Sequence, residues 1–168
     1  MKNLIFLFFI VLFSCDQKKE MSSINPENWK DKEFSFTLSD SLESGSTYLS
    51  VYSQIYGKTE HRTYDLTATI SMRNINRVDT VYIEKAEYYN TKGDLIRSYF
   101  KNPIFLGPLE TVEIVIDEKD QEGGTGANFV FDWKMKKSST DPFFESIMIS
   151  TSGPQGVSFT THGIRINN

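Results

Sequence analysis

An alternation of apolar and polar residues recurs along the chain from Tyr48 onwards, and it constrains the fold more than any other feature. In the stretch YDLTATISMR, alternate residues from 64 to 72 are aromatic or apolar, while those between them are polar or charged. Residues 112–116 and 129–135 show the same period of two, and Val157 and Phe159 begin a last predicted strand that reaches Ile166. Successive side chains of a β-strand point to opposite faces of a sheet, so the pattern predicts half-buried strands. Aromatic residues make up 14% of the chain and also favour strands.

Turn-forming residues separate these stretches. The sequence NTKGD at residues 90–94 predicts a β-hairpin, with Gly93 available for a positive φ. Prolines and glycines predict further turns at residues 102–110, 138–142 and 152–156. No stretch shows the apolar spacing of a helix. About seven or eight strands at this spacing predict an all-β fold, an antiparallel immunoglobulin-like β-sandwich, with a closed barrel as the alternative.

The amino terminus, MKNLIFLFFIVLFSC, has the composition of a targeting segment. Lys2 supplies a positive charge, and residues 4–13 form an uncharged apolar run. A helix that crosses a bilayer needs about 20 apolar residues, so this run is too short to span and fits a secretory signal. The segment ends at Cys15, two residues after this run. Because Cys15 is the only cysteine of the chain, a disulfide framework within one chain and a cysteine metal cluster are excluded.

This terminus resembles the bacterial lipoprotein signal, which ends in a small residue followed by cysteine. The resemblance implies cleavage before Cys15, a diacylglyceryl group on its thiol, and an acyl group such as palmitate on its amine. Phe13 is bulkier than the residue usual at that position, and the alternative is an ordinary secretory signal with a chance cysteine. Each buried CH₂ contributes about 0.8 kcal/mol, so two or more acyl chains anchor a protein stably where one does not.

The sequence predicts three parts: a signal peptide at residues 1–14, a lipidated amino terminus and flexible tether at 15–45, and a β-sandwich domain at 46–168. The tether is polar and rich in Ser, Lys, Glu and Asp. Phe34, Phe36 and Leu38 alternate and indicate a short strand within it. Trp29 either packs on the domain or touches the membrane interface, and packing or simple exposure is the favoured interpretation.

Residues 117–133, DEKDQEGGTGANFVFDW, combine acids with closely spaced glycines. They do not form a phosphate-binding loop, because no lysine follows the glycines, a strand rather than a helix follows, and the acids repel phosphate. The oxygens of Asp117, Asp120, Glu122 and Asn128 suit a weak Ca²⁺ site, although the spacing of a helix–loop–helix calcium site is absent. A solvated acidic connection between two strands is the favoured interpretation, and a partner-binding loop is a further alternative.

No catalytic constellation is evident. No Gly-x-Ser-x-Gly motif is present, and Cys15 is consumed by the lipid. His61 and His162 lack partners evident from the sequence, and a zinc site would need both to meet in space. We therefore expect a protein that is not an enzyme and has no cofactor. Tyr52 and Tyr56, with the two histidines, are candidates for a face that binds sugar, peptide or protein, the alternative being that the rings cover sheet edges.

The charge balance excludes a nucleic-acid partner. The formal net charge is −4, and no long run of Lys or Arg occurs, so the chain lacks the basic surface of a nucleic-acid binder. A basic membrane-binding patch is not expected for the same reason.

Several segments together resemble an uncharacterised bacterial lipoprotein family, domain of unknown function 3124. The likeness covers nearly all of the folded part, and the run GGTGANF is its most specific piece. It is carried by YLSVYSQIY, LTATISMRN, EYYNTKGDLIRSY, LGPLETVEIVI, DQEGGTGANFVFDW, FFESIMIST and GVSFTTHGIRI. The resemblance implies an envelope protein without an assigned activity.

The sequence thus predicts a lipid-anchored protein of the bacterial envelope, with its domain outside the cytoplasm. We expect a non-enzymatic binding or structural module that contacts the bilayer through Cys15 and an envelope protein or ligand through its domain. The alternatives are an ion- or solute-binding lipoprotein that uses residues 117–128, and an enzyme whose site is not evident.

Overall fold

The computed structural model describes residues 22–24, 26–34, 41–151 and 156–167. The regular secondary structure of the described part is nearly all strand, with two short 3₁₀ helices at Pro26–Lys32 and Gly124–Gly126. The strands are β1 (Glu43–Val51), β2 (Gln54–Tyr56), β3 (Thr63–Asp65), β4 (Thr67–Arg73), β5 (Val81–Tyr89), β6 (Leu95–Ser98), β7 (Ile104–Leu106), β8 (Thr111–Ile116), β9 (Ala127–Met135), β10 (Phe143–Ser150), β11 (Val157–His162) and β12 (Ile164–Ile166).

The strands form two main antiparallel sheets and a small hairpin. The first sheet has the order β12-β1-β9-β5, and both β6 and β7 pair along the remaining edge of β5. The second sheet has the order β11-β10-β4-β8, while β2 and β3 pair only with each other. Neither main sheet closes on itself. The predicted antiparallel β-sandwich is therefore confirmed, and the alternative of a closed barrel is wrong.

The core lies between the sheets and follows the predicted alternation. Along β9 the side chains of Phe129, Phe131 and Trp133 are fully buried, and the residues between them are half-buried. The Phe131 ring stacks on Phe144 of the facing sheet at 4.3 Å between centroids, which joins the two layers. Burying these rings is the main stabilising contribution, because each removes a large apolar area from water.

The last strand differs from the prediction. Residues 157–166 were expected to form one strand, but Gly163 divides them into β11 in the second sheet and β12 in the first. The Gly163 N–H donates to the Phe144 carbonyl at 2.8 Å, and a Cβ at Gly163 would lie 2.6 Å from Thr47 Cγ2. Only glycine therefore fits where the chain changes sheets, since any side chain would collide with β1.

Residues 22–24 and 26–34, which we call the N-terminal strap, pack on the domain although they lie in the predicted tether. Trp29 is 3% exposed and contacts the Phe100 ring at 5.7 Å, so the packing interpretation of this residue is confirmed. Glu33 bridges to Ile104 of β7, and Ser23 Oγ accepts from the Val115 N–H of β8 at 2.9 Å. The strap thus contacts the edge strands of both sheets, which limits unwanted pairing there.

Two further predictions concern this region. The alternation at Phe34, Phe36 and Leu38 falls mainly on residues 35–40, which lie outside the described residues, as do the signal peptide and Cys15. Strand β1 begins at Glu43, slightly before the predicted domain boundary. Within the described ranges, no helix has the length and apolar character needed to cross a membrane.

Candidate functional site

Residues 117–126, which we call the glycine loop, are clamped between two hairpins. Thr91, in the turn between β5 and β6, donates to the Gly123 carbonyl from both its backbone N–H (3.1 Å) and its hydroxyl (3.0 Å). The same hydroxyl accepts from the Gly126 N–H at 3.0 Å. On the other side, Ser53 Oγ donates to the Gly124 carbonyl at 3.2 Å. The loop is therefore a docked segment whose backbone groups are satisfied by protein.

Two of the glycines are required for steric and conformational reasons. A Cβ at Gly123 would lie 1.9 Å from the Tyr88 hydroxyl and 2.7 Å from the Ala127 Cβ, well inside van der Waals contact. Gly124 has φ +71°, a left-handed conformation that residues with a Cβ rarely adopt. The glycine spacing that resembles a phosphate loop is thus explained by close packing against β5.

Arg97 of β6 organises the acids of the glycine loop. Its guanidinium donates to Asp120 Oδ2 at 2.7 Å, to Glu122 Oε2 at 2.9 Å and to the Tyr99 hydroxyl at 3.2 Å. The Asp120 side chain is only 2% exposed, whereas that of Glu122 is 59% exposed. Burial opposes the charged form of Arg97, but the hydrogen bonds to Asp120 and Tyr99 outweigh it and raise the Arg97 pKa. The result is a buried ion pair with a second, solvated carboxylate.

Two buried tyrosines flank this guanidinium. Arg97 lies 5.7 Å from the Tyr88 ring centroid and 5.8 Å from that of Tyr99. Burial raises the pKa of Tyr99 to about 12, opposed in part by Arg97. Burial also raises the pKa of Tyr88, and the neighbouring Ser53 hydroxyl lowers it by less. The Tyr88 hydroxyl has no hydrogen-bond partner of regular geometry in the described part of the chain.

The four predicted calcium ligands do not share one centre. The Asp117 carboxylate accepts from the backbone N–H and the hydroxyl of Ser22 in the strap, while Asp120 and Glu122 are both held by Arg97. Asn128 lies in β9, paired in register with Ser50 and Tyr89. Across the ranges that the structure describes, no group of three or more His, Cys, Asp or Glu side chains is arranged to hold a metal. The Ca²⁺ site stays a prediction, and a cation bound there would compete with the Arg97 guanidinium for the Asp120 and Glu122 carboxylates.

The four residues of the predicted tyrosine and histidine face lie in three places: the connection between β1 and β2, the β2–β3 hairpin, and β11 of the second sheet. Tyr56 is 59% exposed, and His61 in the same hairpin is exposed, 3.6 Å from the Glu60 carboxylate. The other two residues lie elsewhere: the Tyr52 ring contacts Phe159 at 5.7 Å, and His162 of β11 lies 5.6 Å from the Phe143 ring, opposite Glu145 in register. Only Tyr56 and His61 share one surface element, so a single four-residue face stays a prediction.

An open groove of about 360 Å³ lies where β1, β9 and β12 meet. Its polar groups are engaged with other side chains. Ser46 Oγ donates to Asp132 at 2.6 Å, Lys134 pairs with Glu84 at 2.9 Å, and the Arg165 guanidinium lies 5.0 Å from the Trp133 ring centroid. This arrangement suits a solvated polar surface, since its charges already have partners.

Three loops meet at the opposite end of the sandwich from the glycine loop, and we call them the distal loops (residues 74–80, 107–110 and 136–141). Asn74 joins them: it is 2% exposed, and its side-chain amide donates to the carbonyls of Asp79 (2.7 Å), Leu106 (3.0 Å) and Gly107 (2.9 Å). Asn76 extends the network, because its amide donates to the Thr140 carbonyl and accepts from the Thr140 N–H. One buried amide thus fixes loops that are distant in sequence.

Sequence reasoning missed Arg97, Tyr88 and Asn74. Arg97 lies on a short strand with an ordinary pattern, and nothing local pairs it with Asp120. Asn74 and Asn76, directly after a strand, are residues that favour turns by bonding to nearby backbone, and this was the available signal.

Comparison with known proteins gives a family without an assigned activity. A family model described as "Protein of unknown function (DUF3124)" matches residues 44–166. No curated protein and no solved structure matches the chain. The match confirms the resemblance to domain of unknown function 3124, while the bacterial lipoprotein character stays a prediction.

Proposed function

The chain belongs to the DUF3124 family of proteins of unknown function, and from that premise we propose that it is a lipid-anchored binding or structural module of the bacterial cell envelope. One observation carries the proposal: the single cysteine of the chain, Cys15, ends the apolar amino-terminal run. Acyl chains on this residue would hold the protein on a bilayer, with its domain outside the cytoplasm.

The strap supports a module held close to the bilayer. Ser22 donates two hydrogen bonds to Asp117, where the glycine loop begins. Seven peptide units separate Cys15 from Ser22, and at about 3.3–3.6 Å each they span at most about 25 Å. An anchored Cys15 would therefore keep this part of the sandwich near the lipid surface. The connection is much shorter than the tether predicted for residues 15–45.

A binding or structural role fits the chemistry of the conspicuous side chains better than catalysis does. Arg97 and Asp120 neutralise each other in the interior, so neither is presented to a substrate. The His61 side chain is 83% exposed, and the carboxylate beside it, Glu60, is itself 82% exposed, which does not suit an oriented general base. The alternative of an ion-binding lipoprotein has weaker support, because Arg97 holds two of its four predicted ligands.

The anchor is tested in bacteria that receive a fatty acid with a chemical handle. We expect the natural chain to be labelled and to sediment with membranes, and Cys15→Ser to lose both properties because serine provides no thiol for the diacylglyceryl group. Ser14→Ala is the matched control, since it keeps a small residue before the cysteine and should retain the label. Labelling that persists in Cys15→Ser would refute the proposal.

A further inference from the structure

Three aliphatic side chains are exposed to water at the distal loops. Ile75 is 47% exposed, Val78 is 80% exposed and Leu109 is 65% exposed, and we call them the distal apolar cluster. The Leu109 N–H donates to the Asn76 carbonyl at 3.0 Å, which holds the two loops side by side. Exposed aliphatic residues grouped on one surface are typical of interaction sites, because leaving them in water is unfavourable.

The cluster is presented on a pre-organised backbone. Leu109 has φ +58°, a left-handed conformation that is unfavourable for an L residue with a side chain. The turn is closed by hydrogen bonds from the Gly107 N–H to Glu110 Oε2 at 2.7 Å and from the Glu110 N–H to the Gly107 carbonyl at 3.1 Å. Strain of this kind persists where surrounding structure enforces it, often at binding surfaces. A rigid surface also loses less entropy when a partner binds.

The charge at this end indicates the kind of partner. The acids of the distal loops are each in an ion pair: Asp79 with Lys136, Glu110 with Lys32, and Asp141 with Arg165. Arg77 and Lys137 are exposed and form no ion pair with any residue in the described ranges. Arg77 and Lys137 are therefore exposed positive charges that no carboxylate of the described ranges pairs with, in a chain whose net charge is −4.

We propose that the distal apolar cluster is a docking site for a second envelope protein that presents apolar side chains flanked by Asp or Glu carboxylates. The aliphatic residues supply the buried centre of the contact, and Arg77 and Lys137 supply a basic rim that meets the acidic partner. This proposal deepens the function proposed above and rests on it for the location of the partner in the envelope.

The anchor disfavours the bilayer as the occupant of this surface. The distal loops and Asp117 lie at opposite ends of β8, and six strand residues at about 3.3 Å each separate them by roughly 20 Å. A connection of at most about 25 Å from Ser22 would have to lie almost fully extended along the domain before the cluster could reach lipid. A symmetric contact between two copies is disfavoured too, because it would oppose the Arg77 and Lys137 side chains of both.

Site-specific photo-crosslinking in cells of the native host tests the proposal with the full-length chain. In one variant, a photo-reactive phenylalanine analogue replaces Val78 in the cluster. In the matched control it replaces Ile149 of β10, which is 42% exposed on the outer face of the second sheet. We expect the probe at 78, and not at 149, to give one discrete adduct with another protein. The crosslinked peptide of that protein should contain apolar residues beside Asp or Glu.

Charge reversal makes the test specific. With the probe at 78, Arg77→Glu combined with Lys137→Glu should reduce the adduct at least about tenfold, as expected for rim charges that steer and hold an acidic partner. Both positions are exposed, so thermal melting should show an unchanged fold. An adduct that survives the reversal, an equal yield from position 149, or no discrete adduct would overturn the proposal.

The nature of the adduct decides between the remaining occupants. An adduct of two copies of this chain, or an adduct with lipid, would contradict a second protein as the occupant. Membrane sedimentation of the same cells, with and without Cys15→Ser, reports on the anchor separately. A failed anchor with an intact adduct would refute the proposed location alone, and the reverse result would refute the docking site alone.

Discussion

The two ends of the sandwich are stiffened by the same kind of hydrogen bond, but they differ in the side chains that they expose to water. At the glycine-loop end, Thr91 and Ser53 bind backbone carbonyls of the loop, and at the distal end Asn74 does the same. In both cases a polar side chain from one segment satisfies the backbone of another. At the glycine-loop end the Asp120 carboxylate is buried against Arg97, whereas the distal end leaves Val78 and Leu109 in water.

This difference shows that a conspicuous sequence and an exposed surface need not coincide. The glycine loop has the most conspicuous sequence of the chain, yet its Gly123 is explained by packing against Tyr88. The distal loops have no recognisable motif, yet they place aliphatic residues on a rigid surface. Stability is therefore expected to depend most on the glycine-loop end, and recognition on the distal end.

The largest loss of stability is expected for Arg97→Met, which leaves the Asp120 carboxylate buried without its partner. Removing one member of a buried ion pair costs about 3–5 kcal/mol of unfolding free energy. Denaturant titration measures the loss, and adding Asp120→Asn should restore part of it. Lys136→Met is the control at the distal end, because Lys136 is largely exposed and the loss of its surface ion pair with Asp79 should change stability little. An equal effect of the two substitutions would contradict the distinction between the ends.

Gly123→Ala should destabilise the fold next most, by about 1–3 kcal/mol or more, because the new methyl overlaps the Tyr88 hydroxyl. Combination with Tyr88→Phe should recover part of the loss by removing that oxygen. The matched control is Gly107→Ala, whose Cβ would meet only Glu110 Oε2 at 3.4 Å. Should both glycine substitutions be tolerated equally in chemical denaturation, the close packing inferred at Gly123 would be wrong.

Asn74→Asp tests whether one amide holds the distal loops. The substitution keeps the shape but replaces the donor that three carbonyls share, and leaving buried polar groups unsatisfied costs about 1–3 kcal/mol. Hydrogen exchange should report faster opening of residues 74–80 and 107–110, with little change in the glycine loop. Uniform acceleration across the domain would argue against a local role for Asn74.

Alkaline pH should weaken the glycine-loop end selectively. The folded pKa of Tyr99 is about 12 against an ordinary value of 10.0, so the folded state binds more protons than the unfolded state between these values. This stabilisation is complete below pH 10 and is lost as pH rises through about 12. Denaturant midpoints measured across this range should fall for the natural chain and fall less for Tyr99→Phe. Parallel curves would show that Tyr99 does not cause the alkaline loss.

The smallest effect is expected from Ca²⁺. Because Arg97 already pairs with both Asp120 and Glu122, millimolar Ca²⁺ should leave the melting temperature unchanged. A rise in melting temperature that Glu122→Gln abolishes would instead favour the ion-binding alternative. Mg²⁺ at the same concentration controls for general ionic strength.

The sequence alone determined the fold class and much of the core. The period of two along 129–135 placed Phe129, Phe131 and Trp133 inside, and NTKGD placed a turn with Gly93 at φ +83°. These features are local, because pleating and turn geometry act over a few residues. The sequence also raised Cys15 as the candidate anchor, since its evidence lies within one contiguous segment.

Only the tertiary structure decided the pairings across long sequence distances. Arg97 meets Asp120, Ser22 meets Asp117 and Trp29 meets Phe100 because the two sheets and the strap bring these segments together. Likewise, Gly163 divides one apparent strand between two sheets because β1 passes too close for a side chain. The alternation of apolar and polar residues specifies which face of the sheet a side chain takes. Whether that side chain is buried, and which charge it meets, depends on the segment packed opposite it. The packing of the whole chain decides which segment that is.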